Sequence, residues 1–160
     1  MKKSARIAEY VSRMEPPADP SLDPHYLGYF TCFNEQKYYE AHDVLEQLWL
    51  KKKDGNYHYF KGLIQVAGAF VHLQKQSLHP IHPKHRSRLR PASRLFKLAM
   101  HNLEKYRPYH MHLDVGSLCE LCAKFMREII ASDFQVNPLD SSHAPKLSLD
   151  GGDPASPRHK

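Results

Sequence analysis

Long apolar runs, glycine and cysteine are all scarce in this chain of 160 residues. No stretch approaches the ~20 apolar residues of a membrane-spanning helix, so we expect no membrane partner. The N-terminus is basic but no apolar segment follows it, which argues against a secretory signal. The three cysteines are too few for a disulfide scaffold and are typical of a reducing compartment. We therefore expect a cytoplasmic protein.

Two of the cysteines, Cys119 and Cys122, form a CxxC pair. A zinc ribbon would need a second such pair, and a redox motif would need a thioredoxin-like βαβ context. The sequence contains neither, so we interpret both residues as ordinary helix-packing cysteines.

Positive charge is in excess, with 23 Lys and Arg against 17 Asp and Glu, a formal charge of +6. The 12 histidines add to it below neutral pH. This balance permits a polyanionic partner without requiring one.

Apolar residues recur at helical spacing along most of the chain, and no convincing strand is present. The predicted helices cover about residues 3–14, 23–33, 34–50, 57–76, 91–106 and 115–132. These patterns predict an all-α fold, a compact bundle of about five to six helices with a central antiparallel αα-hairpin.

The same patterns divide the chain into three regions. Residues 1–22 form an N-terminal helix and a connector, and residues 23–134 form the helical bundle domain. Apolar periodicity ends at Phe134, and the proline-, serine- and glycine-rich remainder predicts a disordered tail over 135–160.

The most informative stretch is FNEQKYYEAHDVLEQLW, from Phe33 to Trp49. Its beginning has a structural explanation. Asn34 is a suitable helix N-cap, and Phe33 and Tyr38 then occupy the two positions of a hydrophobic staple.

The remainder of the stretch mixes apolar and ionisable side chains. At ~100° per residue, one stripe of the helix carries Tyr38, His42, Leu45 and Trp49, with Glu46 at its edge. The opposite, solvated side carries Glu40, Asp43 and Gln47. A buried carboxylate needs a donor, a cation or a metal ion, so Glu46 either pairs structurally with His42 or a basic side chain, or belongs to a site.

The next helix is expected to run antiparallel to this one. Counting outward from the turn near Asp54 places Gln65 opposite His42, with Gly62 leaving room beside Glu46. His72 lies about 9 Å farther along the axis from His42 and reaches it only with a tilted crossing.

This stretch, followed by FKGLIQVAGAFVHL, resembles domain-of-unknown-function family 309 over about residues 26–73. The resemblance implies an all-α cytoplasmic bundle and a predicted metal-dependent hydrolase. The polar members of the motif are here Glu40, His42, Asp43 and Glu46. Asp43 stands where the family more often has glutamate.

Two functional hypotheses follow. In the first, His42 and Glu46 bind a divalent metal, with His72 as a further ligand candidate. Glu40 or Asp43 would then complete a hydrolytic site for a small-molecule substrate, and Gln65 would orient substrate or water.

The second hypothesis is a non-catalytic binding or assembly module. Residues 79–90, HPIHPKHRSRLR, form a basic segment that could contact phosphates. It lacks aromatic residues for base stacking, so any nucleic-acid contact would be unspecific. A merely solvated loop is the structural alternative.

Overall fold

The computed structural model describes residues 2–13, 21–51, 53–78 and 88–150, and α-helices make up most of them. The helices are α1 (Lys3–Ser12), α2 (Pro24–Asn34), α3 (Tyr38–Lys51), α4 (Tyr57–Leu78), α5 (Leu89–Leu103) and α6 (Val115–Ala131). The predicted all-α fold is confirmed. The predicted connector after α1 and residues 79–87 of the basic segment lie outside the described residues.

Small elements that the sequence did not predict lie between and after these helices. A 3₁₀ turn (Glu104–Tyr106) continues α5, and an antiparallel hairpin of β1 (Tyr109–His110) and β2 (Leu113–Asp114) leads into α6. A second 3₁₀ turn covers Ser141–His143.

Side-chain caps set where two of the helices begin. The carboxylate of Asp23 accepts from the amide of His25 at 2.8 Å, and that of Asp114 accepts from the amide of Ser117 at 2.9 Å. Each cap satisfies one of the amides left without a partner in a first helical turn. The starts of the helices predicted over about residues 23–33 and 115–132 agree with those of α2 and α6.

Consecutive helices from α2 to α6 pack on one another, and α3 and α4 form the predicted hairpin. The centre of the core is aromatic. The rings of Phe33, Tyr38 and Phe70 lie within 5.1 Å of one another, centroid to centroid. Phe96 on α5 and Phe125 on α6 extend this cluster from Phe70. Aromatic pairs at this spacing add to the stabilisation that burial provides.

Gly62 is buried, but it does not leave room beside Glu46 as the sequence predicted. A Cβ built there would lie 2.7 Å from Cγ of Leu103 and 3.3 Å from the carbonyl oxygen of Ala99. Gly62 therefore permits the close approach of α4 and α5.

Asn34 is not the N-cap of α3, because it ends α2 and α3 begins at Tyr38. The expected contact between Phe33 and Tyr38 is nevertheless present. The amide side chain of Asn34 instead binds the main chain of Leu147.

The predicted disorder of the tail does not hold for residues 135–150, which follow a defined path over the helices. Leu139 and Leu147 are buried, and the side chain of Asn137 donates to the carbonyl of Leu73 at 2.8 Å. Two isolated leucines leave no periodic signal in a sequence, yet they anchor an extended segment. Residues 151–160 lie outside the described residues.

The three cysteines are buried, which agrees with the interpretation of Cys119 and Cys122 as packing residues. Burial raises the pKa of the Cys119 and Cys122 thiols. Among the helices described here, none is long and apolar enough to cross a membrane.

Candidate functional site

The polar residues of α3 are placed differently from the prediction. Asp43, assigned to the solvated side, is 3% exposed, whereas Glu40 is exposed as expected. His42 and Glu46 are half-buried. The cause is α1, which lies against α3 and covers part of the face that a helical wheel gives to solvent.

Two basic side chains of α1 meet the carboxylates of α3. The ammonium of Lys3 lies 2.7 Å from Oε1 of Glu46 and 3.1 Å from Oδ1 of Asp43. The guanidinium of Arg6 lies 3.9 Å from Oδ2 of Asp43. The hydrogen bond to Glu46 is the main reason why the pKa of Lys3 is raised. Each carboxylate is thus compensated by a cation, as burial requires.

His42 completes this group of side chains. Its Nδ1 lies 3.1 Å from Oδ1 of Asp43, and its side chain is 30% exposed against 4% for that of Asp43. An ionised carboxylate can only accept, so in a neutral imidazole Nδ1 carries the proton and Nε2 is the acceptor. We call Lys3, Arg6, His42, Asp43 and Glu46 the α1–α3 cluster.

A cavity of about 160 Å³ adjoins the cluster. Its wall combines charged and apolar side chains from three helices and the α2–α3 turn: Arg6, Ile7, Tyr10, Cys32, Lys37, Glu40, Asp43 and Val44. Asp43 therefore belongs both to the cluster and to the cavity wall. The cavity has room for a few non-hydrogen atoms of a ligand and offers groups of both charges.

The thiol of Cys32 in this wall is not an activated nucleophile. Its Sγ donates to the hydroxyl oxygen of Tyr10 at 3.5 Å. Burial raises the pKa of Cys32 and that of Tyr10, so both groups stay protonated near neutral pH.

Two predicted site residues lie elsewhere. Oε1 of Gln65 accepts from the side chain of Asn102 on α5 at 2.7 Å, so Gln65 does not face His42. Nδ1 of His72 lies 3.2 Å from the guanidinium of Arg88. Burial, with Arg88 and other cations nearby, lowers the pKa of His72 to about 4. The face of α4 that carries Gln65 contacts α5, whereas the sequence analysis assigned it to α3. The sequence does not show which neighbouring helix each side of α4 contacts.

The arrangement of the His, Cys, Asp and Glu side chains decides whether the domain could hold a metal ion. Within residues 2–13, 21–51, 53–78 and 88–150, no three His, Cys, Asp or Glu side chains are grouped so that they could hold a metal ion. His42, Asp43 and Glu46 are close in sequence, but the Lys3 ammonium lies between the two carboxylates and Asp43 occupies Nδ1 of His42. The side chains as they lie do not fit a divalent metal.

Lys3 and Arg6 are the members of the cluster that sequence reasoning missed. A signal for them exists, because they are three apart on an amphipathic helix, as are Asp43 and Glu46 on α3. Residues three apart share a helix face, so two basic and two acidic residues present complementary surfaces.

The fold and the cluster define a small all-α domain with a charged, partly buried group of side chains on its central helix. Residues 26–82 match the family model described as a domain of unknown function (DUF309). The resemblance drawn from the motif is thereby confirmed over this segment, which is 57 of the 160 residues. The matched segment includes His42, Asp43 and Glu46 but not Lys3 or Arg6. No curated protein and no solved structure matches the chain significantly.

Proposed function

We propose that the chain is a hydrolase in which His42 transfers the proton and Asp43 orients the imidazole. The observation that carries the proposal is the contact of 3.1 Å between Nδ1 of His42 and Oδ1 of a buried Asp43. A base held in one tautomer by a buried carboxylate, on a side chain that is 30% exposed, is the arrangement that general base catalysis uses.

In this proposal Nε2 of His42 accepts a proton from water while the water oxygen attacks an electrophilic carbon or phosphorus. The imidazolium that forms is stabilised by Asp43. It then returns the proton to the departing oxygen as the bond to the leaving group breaks. No side-chain nucleophile is needed, in keeping with the protonated state of Cys32.

The charges around the cavity, which Asp43 lines and His42 does not, suggest the substrate class. Arg6 and Lys37 line it, and both can pair with an anionic group. Glu40, in the same wall, disfavours large polyanions. We therefore propose a small ester or phosphoester that carries a single anionic group.

The donors as they lie do not fit the metal that the family resemblance implies, and the proposed proton transfers do not require one. The experiment measures metal dependence as a separate arm. Wild type is assayed with mono-4-nitrophenyl succinate and methyl 4-nitrophenyl phosphate, each of which carries one anionic group, first with a chelator and then with added divalent ions.

The variants are His42→Gln and Asp43→Asn, with His101→Gln on an exposed part of α5 as the matched control. We expect wild type and the control to hydrolyse one of the two substrates, and His42→Gln to lose on the order of 10²-fold in kcat. Unchanged kcat in a folded His42→Gln variant, or turnover of neither substrate, would contradict the proposal. Activity that requires added metal would instead favour rearrangement of the cluster around an ion.

A further inference from the structure

The side chain of Asn34 binds the main chain of the tail, as a donor and as an acceptor at once. Its Nδ2 donates to the carbonyl oxygen of Leu147 at 2.8 Å, and its Oδ1 accepts from the amide of the same residue at 2.7 Å. This is the two-bond pattern that an extended strand offers to its neighbour. Such a contact recognises an extended peptide whatever its side chain.

Further contacts hold the same segment in extended form. Leu113 and Leu149 form an antiparallel bridge, and the amide of Asp150 donates to the carbonyl of His112 at 2.7 Å. Gln36 donates to the carbonyl of Ser141 at 2.8 Å. Every one of these polar contacts is to the main chain of the tail.

Side-chain recognition comes from the buried Leu139 and Leu147 and from Asn137, which donates to the carbonyl of Leu73. Leu147 is 7% exposed. A cavity of about 270 Å³ lies between this segment of the tail and the surface formed by β2 and α6. Its wall on the domain side is formed by Leu113, Asp114, Ser117, Leu118 and Leu121. We call this surface, together with Asn34, the tail groove.

The groove and its occupant belong to different parts of the chain. Asn34 lies in the segment that matches the family model, residues 26–82, whereas the tail and the part of the groove formed by β2 and α6 lie beyond it. The tail is also attached at one side only among the described residues, through the turn that follows α6. It can leave the groove without unfolding a helix.

We propose that the tail groove is a binding site for an extended, leucine-bearing peptide, and that residues 137–150 occupy it as an intramolecular ligand. Main-chain pairing supplies affinity, and burial of the leucine side chains supplies selectivity. The tail, tethered at high effective concentration, competes with any peptide of the same chemistry supplied by a partner protein.

The test uses the full-length chain with its tail displaced by Leu139→Asp and Leu147→Asp together. The probe is a fluorescein-labelled synthetic peptide of residues 137–150, NPLDSSHAPKLSLD. We expect saturable binding to the displaced variant and binding at least tenfold weaker to wild type. Adding Asn34→Ala should abolish it, whereas adding Asn102→Ala, an amide on α5 away from the groove, should not. A probe peptide with Leu147→Asp should fail to bind.

The proposal is overturned if the displaced variant keeps the helical circular dichroism of wild type but does not bind the probe. It is also overturned if Asn34→Ala leaves binding unchanged. Equal affinity of wild type and displaced variant overturns the competition. Should the variants unfold, hydrogen exchange of wild type decides. The Leu147 amide must exchange at least tenfold faster than core amides of α4, and still faster in Asn34→Asp. Exchange of Leu147 only by global unfolding overturns the proposal.

Discussion

The ammonium of Lys3 lies 2.7 Å from Oε1 of Glu46, although the two residues are 43 positions apart. The same ammonium reaches the buried carboxylate of Asp43. Helix α1 itself buries only Ile7. Tyr10 and Val11 of the same helix are half-buried against the core. Charge and apolar contact therefore attach α1 to the domain together, and α3 depends on α1 for compensation of its carboxylates.

Replacing Lys3 by methionine should lower the free energy of unfolding by about 1 to 3 kcal/mol, because the buried carboxylate of Asp43 loses its nearest cation. Methionine keeps most of the side-chain length, so the loss is one of charge. Lys2→Met, at the exposed neighbouring residue, is the matched control and should change stability by less than about 0.5 kcal/mol. Urea unfolding of both variants measures the difference, and equal stabilities would show that Asp43 does not need Lys3.

Two glycines of α4 give a second comparison. A Cβ at Gly62 would meet the buried Leu103 at 2.7 Å, whereas one at Gly68 would meet only the terminal Cδ1 of Leu95 at 3.2 Å. Both alanine substitutions gain about 1 kcal/mol of helix propensity. We expect Gly68→Ala to be neutral or stabilising.

Gly62→Ala should be destabilising overall, because overpacking costs about 1 to 3 kcal/mol. Thermal unfolding of the two variants side by side checks the order. A Gly62→Ala variant as stable as Gly68→Ala would mean that α5 shifts freely.

The helix content and most helix ends could be predicted from the sequence because they depend on local signals. Asp23 and Asp114 cap α2 and α6 close to where helices were predicted to begin, and Pro91 lies in the first turn of α5. The site could be predicted only in part. His42 and Glu46 do lie together with Asp43, but a helical wheel does not show that α1 covers Asp43.

Long-range main-chain contacts account for the remaining differences. Asn34 is a suitable cap by composition, but its partner is 113 residues away at Leu147. The hairpin of β1 and β2 turns through Met111 and His112, both with positive φ, without the Asn-Gly signal that favours such turns. The hydroxyl of Tyr26 donates to the carbonyl of Met111 at 2.9 Å and thereby holds this turn. Such contacts leave no local pattern.

The end of α6 offers a stabilising substitution. Asp133 follows the C-cap of α6 and has a φ of 54°, a left-handed conformation in which glycine is preferred. Asp133→Gly should therefore raise the free energy of unfolding by about 0.5 to 1 kcal/mol. Gln135→Gly, two residues later and exposed, is the control and should lower it by a similar amount. Chemical denaturation distinguishes the signs, and destabilisation by Asp133→Gly would contradict the prediction.

His72 should make the protein less stable as the pH falls. Burial first, and then the charges of Arg88, Lys75 and Arg94, lower its pKa from 6.5 to about 4. Between these pH values the unfolded chain binds more protons at this residue than the folded chain does. Stability must therefore decrease as the pH drops from about 6.5 to about 4.

His72→Gln removes this titration and keeps an acceptor for the Arg88 guanidinium. The advantage of the variant over wild type should therefore grow on acidification, by on the order of 1 kcal/mol once partial exposure of the imidazole is allowed for. Urea unfolding of both proteins at pH 7.5 and pH 5 measures that growth, and His101→Gln, at an exposed histidine, should show none. The ring resonances of His72 should likewise show no protonation above about pH 5, because the cations around it persist at every pH in this range. A difference between His72→Gln and wild type that is the same at both pH values would mean that the imidazole is solvated and that α4 and α5 leave water beside it.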